Sequence, residues 1–166
     1  VYHTANSAMV KAYWEIGKSI VEKQGGETKA EYGTKLLREL SKQMTTDFGK
    51  GFTVTNLSYM RQFYLTFPNY HALRDELSWT HYRLLIKVEN EKARQFYLEE
   101  CVKSAWSTRQ LERQINSFFY ERLLSSQDKK GVAAEINKLE PGKKPEDIIR
   151  DPYVLEFLGL EQNASF

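Results

Sequence analysis

Apolar positions recur at helical spacing through the first three quarters of the chain. Residues 6–23 carry one stripe of Met9, Tyr13, Ile16 and Ile20, and a second beside it of Val10, Trp14, Gly17 and Val21. A helix apolar over so wide an arc is buried on two sides. Gly17 lowers helix propensity in mid-helix, so a close helix contact is expected there. In residues 30–48, Gly33, Leu36, Leu37, Leu40, Met44 and Phe48 repeat with a 3.6 period, and Lys35, Arg38 and Lys42 line the outer side. Gly49-Lys50-Gly51 breaks that helix. A third, over residues 55–67, is closed by Pro68, with Leu57, Met60, Tyr64 and Phe67 inward. Its outer face is polar and nearly uncharged: Thr55, Ser58, Tyr59, Gln62 and Thr66, with Arg61 at the edge. Residues 69–78 form a connector with a helical turn near Leu73. A short fourth helix covers residues 79–88, and a fifth covers residues 93–105 with Asn90 able to cap it.

Residues 106–123, WSTRQLERQINSFFYERL, read as one further helix with two contrasting faces. Ser107 and Gln110 have the spacing of a capping box. Leu111, Ile115, Phe118 and Phe119 form an apolar stripe. Arg109, Arg113, Asn116 and Tyr120 lie opposite, and all are long hydrogen-bonding side chains. Helix, tight break, then a capped helix with Arg and Asn on its outer face is the pattern of a helix-turn-helix. An ordinary solvated bundle helix would look similar. Residues 30–67 give a second such pair with a looser turn. No strand-rich region and no solenoid repeat is found.

Composition narrows the function. With 166 residues there is room for one sizeable core, or one domain and part of another. The net charge is only +2, so any footprint on nucleic acid must be local. A single cysteine, Cys101, rules out a disulfide framework within the chain and fits a reducing cytoplasm. No apolar run approaches the roughly 18–20 residues of a membrane span, and no signal peptide is seen. Val1 already lies in a helical pattern, as if the N-terminus were trimmed. After Leu124 the composition turns polar. Pro141-Gly142-Lys143-Lys144-Pro145 reads as a linker. The apolar DPYVLEFLGL of residues 151–160 looks like the start of another domain that is then cut off.

Catalytic patterns are missing. His3, His71 and His81 share no metal-ligand spacing. There is no phosphate-binding G-x-x-x-x-G-K-[ST] loop and no G-x-S-x-G elbow. Glu27-Thr28-Lys29 and Asp128-Lys129-Lys130 match the E/D-x-K spacing of a metal-dependent nuclease, but neither follows a strand, so both read as chance.

Six blocks carry a resemblance: NSAMVKAYWEIGKSI, YGTKLLRELSKQM, GFTVTNLSYMRQFY, LSWTHYRLLIKV, ARQFYLEECVKSAWSTRQLERQI and DPYVLEFLGL. In that order, over nearly the whole chain, they resemble the N-terminal domain of the DUF1016 or YhcG-like family of bacterial PD-(D/E)xK nucleases. The resemblance implies a helical, helix-turn-helix-type domain joined by a linker to a nuclease domain. It implies nuclease chemistry for a longer parent and none for this chain, because the family's catalytic carboxylates and lysine have no matching positions here.

The expectation is therefore an all-α domain of about six helices with helix-turn-helix-like pairs over residues 1–124, a linker over 125–150, and a truncated C-terminal segment over 151–166. Its expected role is a DNA-binding or targeting module for a nuclease domain, in the cytoplasm and without a membrane. Lys35, Arg38, Lys42, Arg109 and Arg113 would neutralise phosphates, with Arg61 beside them; Tyr59, Gln62 and Asn116 would approach base edges. No cofactor is expected in this chain, and Mg²⁺ only for the missing nuclease domain. The rival is a protein-interaction module, in which the apolar surfaces of the first and third helices pack against a second copy or the nuclease domain.

Overall fold

Seven α-helices and one short 3-10 turn, with a further helical stretch over residues 129–132, make up most of the regular structure of the described residues, and no strand occurs among them. The computed structural model describes residues 2–25, 30–132 and 134. The chain is all-α. Its described residues fall into two compact units that part between Asp75 and Glu76.

The first unit holds α1 (Tyr2–Lys23), α2 (Ala30–Phe48), α3 (Val54–Thr66) and the 3-10 turn Tyr70–Ala72. Its core is the wide apolar arc of α1 closed against α3. Met9, Val10, Tyr13, Trp14, Ile20 and Val21 are buried with Leu57, Met60 and Phe63. Gly17 makes the expected close contact: a Cβ there would lie 2.0 Å from the Met60 carbonyl oxygen. The Trp14 indole Nε1–H donates to the Phe67 carbonyl at 2.7 Å, and its ring meets Tyr64 and Tyr70 edge-on. These contacts tie the end of α3 and the turn after it to the middle of α1.

Local chemistry fixes the start of α3. The Thr53 side chain accepts the Asn56 N–H, and the buried Asn56 amide donates to the Gly51 carbonyl at 2.7 Å. Gly49 and Gly51 supply positive φ angles of 84° and 109° that other residues adopt at a cost. At the end of the unit's sequence, Asp75 accepts from the Ser7 hydroxyl and lies 3.3 Å from Lys11 Nζ. The Ser7 hydrogen bond, helped by Lys11, holds the Asp75 carboxyl below its usual range.

The apolar stripe expected on α2 is only partly covered. Leu37 is buried, Leu36, Leu40 and Met44 are half-buried, and Phe48 is 70% exposed with its ring against Phe52. Periodicity indicates which side of a helix is apolar, but not how much of that side a neighbour covers.

The second unit holds α4 (Trp79–Leu85), α5 (Glu91–Ser104), α6 (Thr108–Asn116) and α7 (Phe119–Ser125). Trp79, Tyr82, Leu85, Tyr97, Leu98, Cys101, Trp106, Leu111 and Phe119 form its core. α4 stops three residues earlier than expected, and turn bonds from Lys87 and Val88 close its end. The Asn90 side chain caps α5 as expected.

The single helix expected over residues 106–123 is two helices. α6 ends at Asn116, and Phe118 takes a left-handed conformation with φ 53° and ψ 44°. The cause lies on α5. The buried Tyr97 hydroxyl donates to the Gln114 carbonyl at 3.3 Å and accepts the Tyr120 N–H at 3.1 Å, bridging the end of one helix and the start of the next. Phe119 is buried against Phe96 and Trp106. Of the two adjacent phenylalanines expected on one apolar stripe, only Phe119 joins the core; Phe118 is 65% exposed.

Candidate nucleic-acid interface

The candidate surface is built from the turn that precedes α6. Ala105 caps the end of α5, its φ of 50° turning the chain, and Trp106 is buried directly after it. The Ser107 side chain accepts the Gln110 N–H at 3.2 Å, and Gln110 Oε1 accepts the Ser107 N–H at 2.6 Å. This reciprocal cap satisfies two donors that the helix itself cannot pair. α4 pins the same turn. The buried His81 lies with Nε2 2.9 Å from the Trp106 carbonyl oxygen, while Nδ1 accepts the Ser78 backbone N–H at 3.1 Å. One tautomer, with the proton on Nε2, meets both demands. Both ring nitrogens of His81 are thus used in holding two helix starts.

On α6, Gln110, Leu111 and Gln114 are buried, while Arg109, Arg113 and Asn116 are exposed. The arginines and Asn116 lie on the exposed side as expected, but the buried side is Leu111 with the two glutamines, while Ile115, expected in the stripe, is only half-buried. Tyr120, expected to continue the polar face, sits on α7 half-buried with its ring against Phe96. The exposed face therefore presents two guanidinium groups and an amide over two helical turns. Such groups suit phosphate oxygens and base edges.

In the first unit, Lys35, Arg38 and Lys42 are exposed along α2 at i, i+3 and i+7, which places them on one side of it. On α3, Gln62 is exposed and Tyr59 half-buried. Arg61 is fastened to the end of α1: its Nε–H donates to Gln24 Oε1 at 2.8 Å. The candidate residues thus form three groups, on α2, α3 and α6, of which the first two belong to one unit and the third to the other. Sequence reasoning placed Phe118 in the core and so missed it as a surface residue. Asn116-Ser117 just before it was the available signal, since both residues favour turns over helix interiors.

Among the described residues no three of His, Cys, Asp and Glu are grouped so as to hold a metal ion. Asp128 Oδ1 accepts the Gly131 N–H at 2.8 Å and so caps the helical stretch that begins at Lys129. Glu27 and Lys29, the linker proline pair Pro141 and Pro145, and the segment 151–160 lie outside the described residues. No helix among the described residues is long and apolar enough to cross a membrane.

These features define an all-α module of two compact units, one of them presenting a doubly anchored, arginine-bearing helix. The chain belongs to the family described as the DUF1016 N-terminal domain, which matches residues 1–122. It is also similar to a protein of Escherichia coli (strain K12) named "Putative nuclease YhcG". The two are 37% identical over 195 aligned positions, which take in 98% of this chain and 52% of that relative. The chain thus spans about half the length of the curated relative it matches. No solved structure matches it.

Proposed function

We propose that this chain is a DNA-binding or targeting module of a nuclease, and that α6 is its contact helix. The observation that carries this reading is the arrangement of α6. Arg109, Arg113 and Asn116 stand exposed on a helix whose other side is buried and whose start is fixed by a capping box and by His81. A contact surface on a rigid element loses little freedom on binding. The name of the relative supports nucleic acid as the partner, and the half of it that this chain does not match has room for a separate nuclease domain. Lys35, Arg38 and Lys42 would add phosphate contacts, and Tyr59, Gln62 and Asn116 would reach base edges. Arg61 would act by holding α1 to α3 and not by touching DNA. The linker over residues 125–150 would join the module to the nuclease domain, in a cytoplasm reducing enough to leave the buried Cys101 a thiol.

The test is a double substitution. Arg109→Ala with Arg113→Ala should weaken binding to duplex DNA. It should also flatten the slope of log K against log salt by roughly 2, since each phosphate contact contributes about −0.9. Melting should stay within about 0.5 kcal/mol of the parent, because both side chains are exposed. Equal binding at every salt concentration would remove α6 as the DNA surface.

A second reading has its own observation. Of the first and third helices expected to offer a partner surface, α1 buries Tyr13 and Trp14 in the first unit's core, while α3 leaves Leu65 exposed. α2 also leaves Phe48 exposed next to half-buried Leu40 and Met44. An exposed edge of that kind suits self-association. Sedimentation of the parent and of a Phe48→Ser variant tests it: a dimer that the substitution dissociates favours this reading.

A further inference from the structure

The fold gives no reason for a phenylalanine at position 118. Its backbone lies in the left-handed region, where a bulky side chain is disfavoured and glycine is at ease. The residue is 65% exposed, so the core gains little from it. The joint it occupies is held by other groups: the Ile115 carbonyl accepts the Phe118 N–H, the Phe118 carbonyl accepts the Arg122 N–H, and Tyr97 bridges Gln114 to Tyr120. All of these use backbone that glycine would supply equally well. Leu124 and Phe48 are also exposed, but both sit on ordinary helical backbone, so neither joins exposure to a disfavoured conformation.

Position limits what the ring can serve. Phe118 follows the last residue of α6, Asn116, by two, so their Cα atoms are within about 7 Å. The exposed guanidinium groups of Arg109 and Arg113 share that helix. A flat apolar ring just past the end of a helix that carries exposed cationic groups is a combination that suits nucleic acid with unpaired bases: the charges follow the backbone and the ring stacks on a base face.

We propose that Phe118 is a base-stacking residue, and that this module prefers DNA with unpaired bases, such as a gap or a junction, over continuous duplex. This rests on α6 being the DNA surface. The duplex offers no open base face to the ring, whereas an unpaired base does; stacking on one base is commonly worth on the order of tenfold in affinity or more.

Two fluorescent probes decide it: a duplex, and the same duplex interrupted by a short single-stranded gap. The parent should bind the gapped probe roughly tenfold tighter. Phe118→Gly should erase that preference, leave duplex affinity unchanged, and melt at the same temperature as the parent or higher. Phe118→Leu should lose the preference too, and Phe118→Trp should keep it. Equal affinity of the parent for both probes, with the double arginine variant weakening each, would overturn the stacking role and leave the DNA reading standing. Failure of the parent to bind either probe would overturn both. Full retention of the gap preference in Phe118→Leu, or a change of oligomeric state in Phe118→Gly, would assign the side chain to apolar or protein contact instead. Should the glycine variant not fold, the leucine and tryptophan variants carry the comparison.

Discussion

His81 donates from Nε2 to the Trp106 carbonyl at 2.9 Å, joining the start of α4 to the turn before α6 across 25 residues of sequence. That carbonyl is in a buried residue. A buried acceptor deprived of its donor costs about 1–3 kcal/mol. His81→Ala should therefore destabilise the second unit by at least about that amount, with a further loss from the cavity. Urea unfolding followed by tryptophan fluorescence measures it. An unchanged midpoint would mean that water replaces the imidazole at no cost.

Gly17 lies so close to Met60 that no side chain fits between α1 and α3. Gly17→Ala gains about 1 kcal/mol of helix propensity. It must also push apart two backbones, because the atom in the way is a main-chain oxygen. Overpacking of this kind costs typically about 1–3 kcal/mol, and more where backbone must move. The expected net result is a lower melting temperature. A rise would show that the helices separate freely at this point.

Burial pushes the Tyr97 phenol above its ordinary range, against the smaller opposing effect of the Tyr120 N–H it accepts. A raised folded value means that the fold favours the protonated phenol. The contribution is whole below about pH 10 and is lost as pH rises through the folded value. Tyr97→Phe should thus lose stability at neutral pH, by about 1–3 kcal/mol for the two groups left behind. It should then show a shallower further loss on the alkaline side than the parent. Denaturation midpoints at neutral and alkaline pH separate the two effects; parallel curves would show that Tyr97 does not titrate differently on folding.

Leu111 is the counterpart of the arginines on α6, fully buried where they are exposed. Leu111→Ala should lower stability by about 2–5 kcal/mol. At temperatures where the variant remains folded, its DNA affinity and salt slope should match those of the parent. A loss of affinity without a loss of stability would mean that the two faces of α6 have been assigned the wrong way round.

What was legible in the sequence was local. α2 runs from Ala30 to Phe48 as its periodicity indicated, and the caps at Asn90 and Ser107 were readable because donor and acceptor lie three residues apart. Gly17 was readable because a glycine inside a strong helix pattern calls for a packing reason. The break after Asn116 left only the turn-favouring Asn116-Ser117 as a local sign, since it depends on a tyrosine 17 residues upstream of one partner and 23 upstream of the other. Nor could periodicity choose between Phe118 and Phe119, which occupy adjoining positions of one stripe. On α6, the exposure of Arg109, Arg113 and Asn116 was legible because they stand opposite Leu111. The attachment of Arg61 to Gln24, 37 residues away, left no local trace.

The bridge made by Tyr97 also bears on how fast one proton leaves the protein. The Tyr120 amide lies in the first turn of α7, where no helical carbonyl can accept it, and amides so placed ordinarily exchange with solvent quickly. Here the acceptor is a buried phenolic oxygen from α5. Fraying of α7 alone does not free that amide; the tyrosine must withdraw as well. Its exchange rate would therefore track the docking of α7 on α5, and so the rigidity of the joint on which Phe118 is mounted.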